Sequence, residues 1–359
     1  MNSAVDPDHY EMQLARKVDS VRQRFRHLAT PEPEIVRSPP LHFRMRAEFR
    51  IWHEGDNSFY AMTPPGEKKP KPIDGFAIGS RPMVELMPRL LDAIENDDTL
   101  RRKLYAAEFL TTLSGEVLVT LIYHRRLDEV WKQRGRDLAR TLDVHLIGRS
   151  RGQKEVLGRD YVMETLEVDG VAYRYQQVET GFTQPNAEVN RHMLAWTREV
   201  TRDSNGDLLE LYCGNGNFTV ALAGNFDRVL ANEVSKVSVR SAHYNLEING
   251  IGNAQVVRMS SEELTDALNG VRPFRRLRHV DLDSYRFSTI FVDPPRAGLD
   301  ENTLDLVRAF DRIVYISCNP ATLLANLEAL ADSHRIERFA VFDQFPYTEH
   351  LECGVLLCR

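Results

Sequence analysis

Residues 313–320 read Ile313-Val314-Tyr315-Ile316-Ser317-Cys318-Asn319-Pro320. A β-branched apolar run ends in a thiol, and the proline then opens a helical spacing through Leu323, Leu324, Leu327 and Leu330. A strand followed at once by a helix is the building unit of a parallel α/β sheet, and ligands of such sheets collect at the carboxyl ends of the strands. Backbone N–H groups and the helix dipole at that point favour a thiolate. A strand-end cysteine is also a common small buried hydrophobe. Position alone leaves both readings of Cys318 open.

The same rhythm runs outward from this stretch. Leu208–Tyr212 is an apolar strand, Cys213-Gly214-Asn215-Gly216-Asn217 a tight loop, and Phe218–Ala223 the start of a helix. Strands are predicted again at Val229–Glu233, Ala254–Met259 and Thr289–Val292, each followed by a helix, and Arg338–Phe342 and His350–Leu357 close the chain in succession. The pattern predicts a doubly wound, mostly parallel sheet with an antiparallel edge formed by the last two strands.

The first half lacks this repeat. Met12–Leu28 has helical spacing, with Arg16, Lys17, Arg22, Arg24 and Arg26 expected outward. Phe43–His53 alternates strictly and predicts a half-buried strand whose polar face carries Arg44, Arg46, Glu48 and Arg50, returning as a hairpin through Ser58–Met62. Pro64–Pro72 reads as a basic loop. Val84–Ala107 reads as helix with an interruption at Asn96-Asp97-Asp98, and Thr111–Tyr123 as strand around a Ser114-Gly115 turn. A helix at Leu127–Leu142 and strands at Val144–Gly148 and Val171–Val178 complete an α+β region. The boundary is expected near residue 180, giving domains 1–180 and 181–359.

At 359 residues, 42% hydrophobic and 27% charged, the chain has the composition of a two-domain globular protein. Residues Met1–Asp19 hold four acidic side chains and no apolar core, so no secretory leader or membrane span is expected, and a cytoplasmic location is. The four cysteines (Cys213, Cys318, Cys353, Cys358) include no C-x-x-C pair, which argues against a zinc ribbon, an iron–sulfur site and a disulfide framework; no metal is expected. Net charge is −6, but Leu121–Asp160 holds ten Lys/Arg against six Asp/Glu, among them Arg125 and Arg126. Charge alone fits a polyanion-binding face and a plain solvated face equally well.

Three strand ends carry chemistry. Glycines at 214 and 216 let a ligand approach the backbone, yet the third glycine of a dinucleotide fingerprint and the lysine of a P-loop are missing. Glu233, nineteen residues after Gly214, sits where a carboxylate accepts from ribose hydroxyls. Without pyrophosphate machinery, a nucleoside such as S-adenosylmethionine fits the spacing better than NAD. Asp293-Pro294-Pro295-Arg296 presents an acid and a base on a loop stiffened by two prolines.

Together, Leu208–Phe218, Phe291–Arg296, Tyr315–Pro320 and Tyr347–Leu357 resemble the S-adenosylmethionine-dependent RNA uracil-C5 methyltransferases. Phe43–His53, Leu110–Ser114, His145–Gly148 and Phe182–Asn186 extend the resemblance over nearly the whole chain. It is strongest to the branch that makes ribothymidine in the T-loop of tRNA; ribosomal-RNA relatives often carry N-terminal cysteines for an iron–sulfur cluster, and no cysteine precedes residue 213 here. The resemblance implies a Rossmann-like methyltransferase domain preceded by an α+β RNA-recognition domain. It implies Cys318 as the nucleophile at uracil carbon 6 and Glu352 as the base that removes the carbon 5 proton. The strand alternation separates Glu352 from Leu351, Cys353, Val355 and Leu357, leaving Glu349 as a surface residue and Cys353 in the core.

By the same resemblance Gln184, Tyr212, Asn217, Glu233 and Asp293 surround S-adenosylmethionine. Arg296 borders the uracil, and Tyr105, Arg44, Arg46, Arg125 and Arg126 are candidate RNA contacts. The expected partner is the T-loop of tRNA, with T-loops of tRNA-like RNAs as further candidates and no obligate protein partner. Alternatives are a ribosomal-RNA uracil-C5 methyltransferase and an RNA-binding, tRNA-folding factor.

Overall fold

The computed structural model describes residues 5–64 and 66–359. Met1–Ala4 of the acidic N-terminal stretch and Pro65 of the expected basic loop lie outside the described residues.

Helix α1 (Tyr10–Phe25) buries a stripe of Tyr10, Leu14, Val18, Val21 and Phe25 at three- and four-residue spacing. The stripe packs on the core of the C-terminal sheet, with Phe25 and Phe339 ring centroids 5.4 Å apart. Strand β1 (Glu34–Val36) pairs in parallel with Ala340, Val341 and Phe342. Lys17, expected outward with the other basic residues of this helix, is instead buried, because its ammonium is enclosed by acceptors from residues 343–350.

The next unit is a seven-stranded sheet of β2 (Arg46–Glu54), β3 (Asn57–Met62), β4 (Lys71–Pro72), β5 (Leu104–Thr111), β6 (Val117–Tyr123), β7 (His145–Ser150) and β8 (Gln153–Leu157), in the order β4-β3-β2-β5-β6-β7-β8. Helices α2 (Arg81–Glu95), α3 (Asp98–Arg101) and α4 (Glu129–Leu142) lie between these strands in sequence. One face buries Phe49, Phe109, Leu90 and Trp131, while Arg46, Glu48 and Arg50 alternate to the other. The helix expected through Ala107 stops at Arg101; Lys103 turns with φ +61°, and Leu104 onward pairs with β2 and β6. Its Ala106-Ala107 pair suits a helix in isolation, and hydrogen bonding on both sides overrides that preference.

Strands β9 (Tyr161–Val168) and β10 (Val171–Val178) form a hairpin around Asp169-Gly170, both with positive φ. Leu166, Val168, Tyr173 and Tyr175 of this hairpin belong to the C-terminal core. Packing therefore does not follow a cut at residue 180. Helix α1 and β1 join the second unit, and the hairpin bridges both, with Val162 buried against Leu110, Leu118 and Ile147 of the first sheet and its remaining apolar face in the C-terminal core.

Helix α5 (Ala187–Val200) leads into β11 (Asp207–Leu211), α6 (Asn217–Leu222), β12 (Val229–Asn232), α7 (Lys236–Ile248), β13 (Ala254–Val257), α8 (Ser261–Leu268), β14 (Phe287–Val292), α9 (Glu301–Arg308), β15 (Arg312–Ser317), α10 (Pro320–Leu330), β16 (Arg335–Phe342) and β17 (Glu352–Cys358). The sheet order is β1-β16-β17-β15-β14-β11-β12-β13. β17 runs antiparallel to β15 and β16 and is hydrogen-bonded on both sides. The expected antiparallel edge is thus an interior strand, consistent with the near-complete burial of Cys353, Val355 and Leu357; β1 takes the edge. Strand order reverses between β11 and β14, which opens a crevice at their carboxyl ends. No described helix is long and apolar enough to cross a membrane.

Candidate active site

Sheet register brings the site residues into one row. Leu211 pairs with Val292 and Val292 with Tyr315, so Tyr212 and Asp293 follow side by side at the crevice. Ser317 pairs with Cys353 across the antiparallel β15–β17 ladder, so one further step sets Cys318 against Glu352. Residues 140 positions apart in sequence share an edge because every strand end is fixed by its neighbour.

On the β11 side, the loop after Leu211 reverses sharply. Tyr212 has φ +64° and Gly214 φ +57°, and a Cβ on Gly214 would meet nothing within 4 Å, so the backbone there is open to a ligand. The Glu233 carboxylate accepts from the N–H groups of Gly214 (3.1 Å) and Ser235 (2.6 Å), which holds it at the rim of that loop. The Asn217 amide is bonded reciprocally to Asn190 of α5 at 2.9 Å in both directions, fastening the loop to the segment that carries Gln184. Gln184 Oε1 is buried without a partner among the described residues. Tyr212 is partly buried against the core of the sheet, and burial raises its hydroxyl. An open glycine cradle, an anchored ribose-type carboxylate and an orphaned amide oxygen fit an adenosyl ligand.

The cysteine side is acidic. Burial pushes the Asp293 carboxyl up to about 7, and Glu210, two residues before Tyr212, up to about 8. Among the described residues, neither Glu210 oxygen has a hydrogen-bond partner, and Glu352 Oε2 has none. Burial, and then the charge of Asp293, hold the Glu352 carboxyl far above the usual range. The helix-end position was expected to favour the Cys318 thiolate. The opposite holds: burial, Glu352 and Asp293 raise the thiol, and Arg296 only partly offsets them. Arg296 is exposed, and its carbonyl accepts from Asn319 Nδ2 (3.0 Å) and Thr322 Oγ1 (3.3 Å), which ties the proline loop to the thiol turn. A cavity of about 330 Å³ opens beside Cys318, walled by Arg296, Asn319, His350 and the α1 residues Lys17, Ser20 and Arg24.

Three of the candidate RNA residues are engaged within the fold. Arg46 bonds Glu108 (2.8 Å) and the carbonyls of Gly181 and Glu179, so it joins the first sheet to the segment entering α5. Arg44 turns back onto the Arg46 carbonyl, and Arg125 spends its guanidinium on the carbonyls of Arg102, Thr99 and Arg126. Arg126 is exposed and borders, with Arg151 and His124, a groove of about 980 Å³. The Tyr105 ring lies between the Arg50 guanidinium, 3.6 Å from its centroid, and the His124 ring at 4.1 Å. Sequence reasoning missed Glu210, Asn190 and Lys17. Glu210 had a readable signal, a lone acid inside an apolar strand; the other two announce themselves only through their partners.

A family model described as tRNA (Uracil-5-)-methyltransferase matches residues 9–359. A tRNA/tmRNA (uracil-C(5))-methyltransferase of Aromatoleum aromaticum is 58% identical over 99% of this chain and 97% of its own length. The protein of the same description from Cellvibrio japonicus is 57% identical over 98% and 96%. A solved Pyrococcus abyssi tRNA (uracil-54, C5)-methyltransferase in complex with S-adenosyl-L-homocysteine has the same fold, with a TM-score of 0.75, 21% identity, and coverage of 97% of this chain and 83% of that one. The chain belongs to the tRNA (uracil-5-)-methyltransferase family, whose members are S-adenosylmethionine-dependent enzymes.

Proposed function

We propose that this protein acts in the cytoplasm and methylates carbon 5 of a uridine in the T-loop of tRNA, and of tRNA-like RNAs, through a covalent adduct between Cys318 and uracil carbon 6. The observation that carries the reading is the Cys318–Glu352 juxtaposition across β15 and β17. Carbon 5 of uracil is a weak nucleophile. Addition of the Cys318 sulfur to carbon 6 forms an S–C6 bond and moves the ring's π electrons onto carbon 5 and its carbonyl, giving an enolate. S-adenosylmethionine, when bound by Gln184, Asn217, Glu233 and Asp293, supplies the methyl group. Glu352 then takes the proton from carbon 5, the C–H electron pair restores the C5=C6 bond, and the S–C6 bond breaks to release Cys318 as thiolate. Burial and the neighbouring carboxylates raise both Cys318 and Glu352, and a cation bound beside Asp293 would favour both anions.

The target base must leave its stack to reach Cys318. Arg126, Arg151 and the Arg50–Tyr105–His124 stack offer phosphate and base contacts on the first sheet. A T-loop RNA carrying 5-fluorouridine at the target tests the mechanism, because fluorine cannot depart as a proton does. Wild type should be trapped on the RNA only with S-adenosylmethionine present. Trapping undiminished in Cys318→Ala refutes the nucleophile assignment, and methyl uptake by ribosomal RNA instead of tRNA refutes the substrate.

A further inference from the structure

Of the α1 residues that border the active site, Lys17 is bonded to the chain leading into Glu352. The buried Lys17 ammonium donates to Asp343 Oδ1 at 2.5 Å, to the His350 carbonyl at 2.8 Å and to the Phe345 carbonyl at 3.1 Å. All three acceptors belong to the connection between β16 and β17, two near its entry and one at its exit, so a single cation ties the two arms together. The exit runs into Glu352 within two residues. Gln13, one turn earlier on α1, accepts the Tyr347 N–H at 2.8 Å, and Tyr347 has φ +63°, a conformation a tyrosine keeps only when its surroundings hold it. Gln344 of the same connection accepts the Asn186 N–H at 3.1 Å, beside the segment that carries Gln184.

A lysine serving only to pack α1 would be better replaced by an apolar side chain, since burying an ammonium costs several kcal/mol unless it is fully paired. Lys17 is fully paired, and every partner lies on one connection. Glu352, by contrast, has an oxygen with no partner among the described residues, so its aim depends on the backbone that leads into it.

We propose that Lys17 is a positioning residue for proton abstraction, fixing the Asp343–Leu351 connection so that the Glu352 carboxylate faces carbon 5 of the uracil bonded to Cys318. This rests on Glu352 being the base. The step it serves moves the carbon 5 proton to a Glu352 oxygen, turns the C–H pair into the C5=C6 bond and breaks S–C6. Such transfers need hydrogen-bond reach, and a displacement of about 1 Å costs on the order of 100-fold in rate.

Lys17→Met, nearly isosteric and uncharged, is the test. It should still bind S-adenosylmethionine and still form the adduct on unmodified T-loop RNA. Turnover should fall about 100-fold, and adduct bearing the labelled methyl group should accumulate on denaturing gels. A merely structural role would lower adduct and turnover together, and that outcome overturns the proposal, as does wild-type turnover. Glu352→Gln is run in parallel. Adduct accumulation there with none in Lys17→Met overturns the Lys17 assignment alone, whereas its absence in Glu352→Gln overturns the base assignment and the proposal with it. Should the single variant not fold, Lys17→Met/Asp343→Asn removes both buried charges and is read by the same criteria.

Discussion

Lowering the pH from 8 to 6 should weaken S-adenosylmethionine binding about tenfold, through Asp293. Its carboxyl is raised by burial from 3.8 to about 7. It is therefore ionised about nine-tenths of the time at pH 8, half at pH 7 and one-tenth at pH 6. A cationic ligand binds the ionised form, so the apparent dissociation constant is the intrinsic one divided by that fraction. Affinity rises with pH, and binding at pH 7 releases about half a proton from this group. Titration calorimetry at pH 6, 7 and 8, in two buffers of different ionisation enthalpy, reads both quantities. Asp293→Asn supplies the control, since it should bind weakly with a shallower pH dependence while the ligand's own titration stays in place. Equal slopes in wild type and Asp293→Asn, or proton uptake on binding, would refute the reasoning.

Three further outcomes follow from the packing and charges. Glu210 has a folded value of about 8 against 4.5 ordinarily, so the folded state binds the extra proton and stability falls as pH rises between those values; Glu210→Gln should remove a slope worth on the order of 4 kcal/mol, and a Tm profile from pH 5 to 9 that matches wild type would count against it. A Cβ on Gly354 would lie 2.9 Å from Phe342 and 3.0 Å from both Ile316 and Trp196; Gly354→Ala should cost about 1–3 kcal/mol in urea unfolding, and an unmoved midpoint would show that the packing yields. Replacing Arg126 and Arg151 together with alanine should lower tRNA affinity and reduce the log–log salt slope by roughly two units; an unchanged slope would place the phosphate contacts elsewhere.

Much of the site was legible because it lies at strand ends. An apolar strand followed by Gly214 or by Asp293-Pro294-Pro295 marks a carboxyl edge wherever the strand falls in the sheet, since ligand sites of wound sheets gather there. The strand period put Glu352 and Cys353 on opposite faces, and Cys353 is indeed fully buried. Arg46 and Arg125 were less legible. An arginine on an exposed-looking face presents the same pattern whether its partner is a phosphate or a backbone carbonyl, and only the fold brings Gly181, Glu179, Arg102 and Thr99 within reach.

By itself the sequence determined the wound second half, the strand-end residues as site candidates, and the family resemblance, all of which depend on short-range order. Tertiary structure alone decided where the ends of the chain go. It drew α1 and β1 onto the C-terminal sheet, placed β17 inside that sheet, buried Lys17 against Asp343, and raised the Cys318 thiol that the helix end was expected to lower. Each of these depends on partners from some twenty to more than three hundred residues away and on the loss of water around them, which no local pattern encodes.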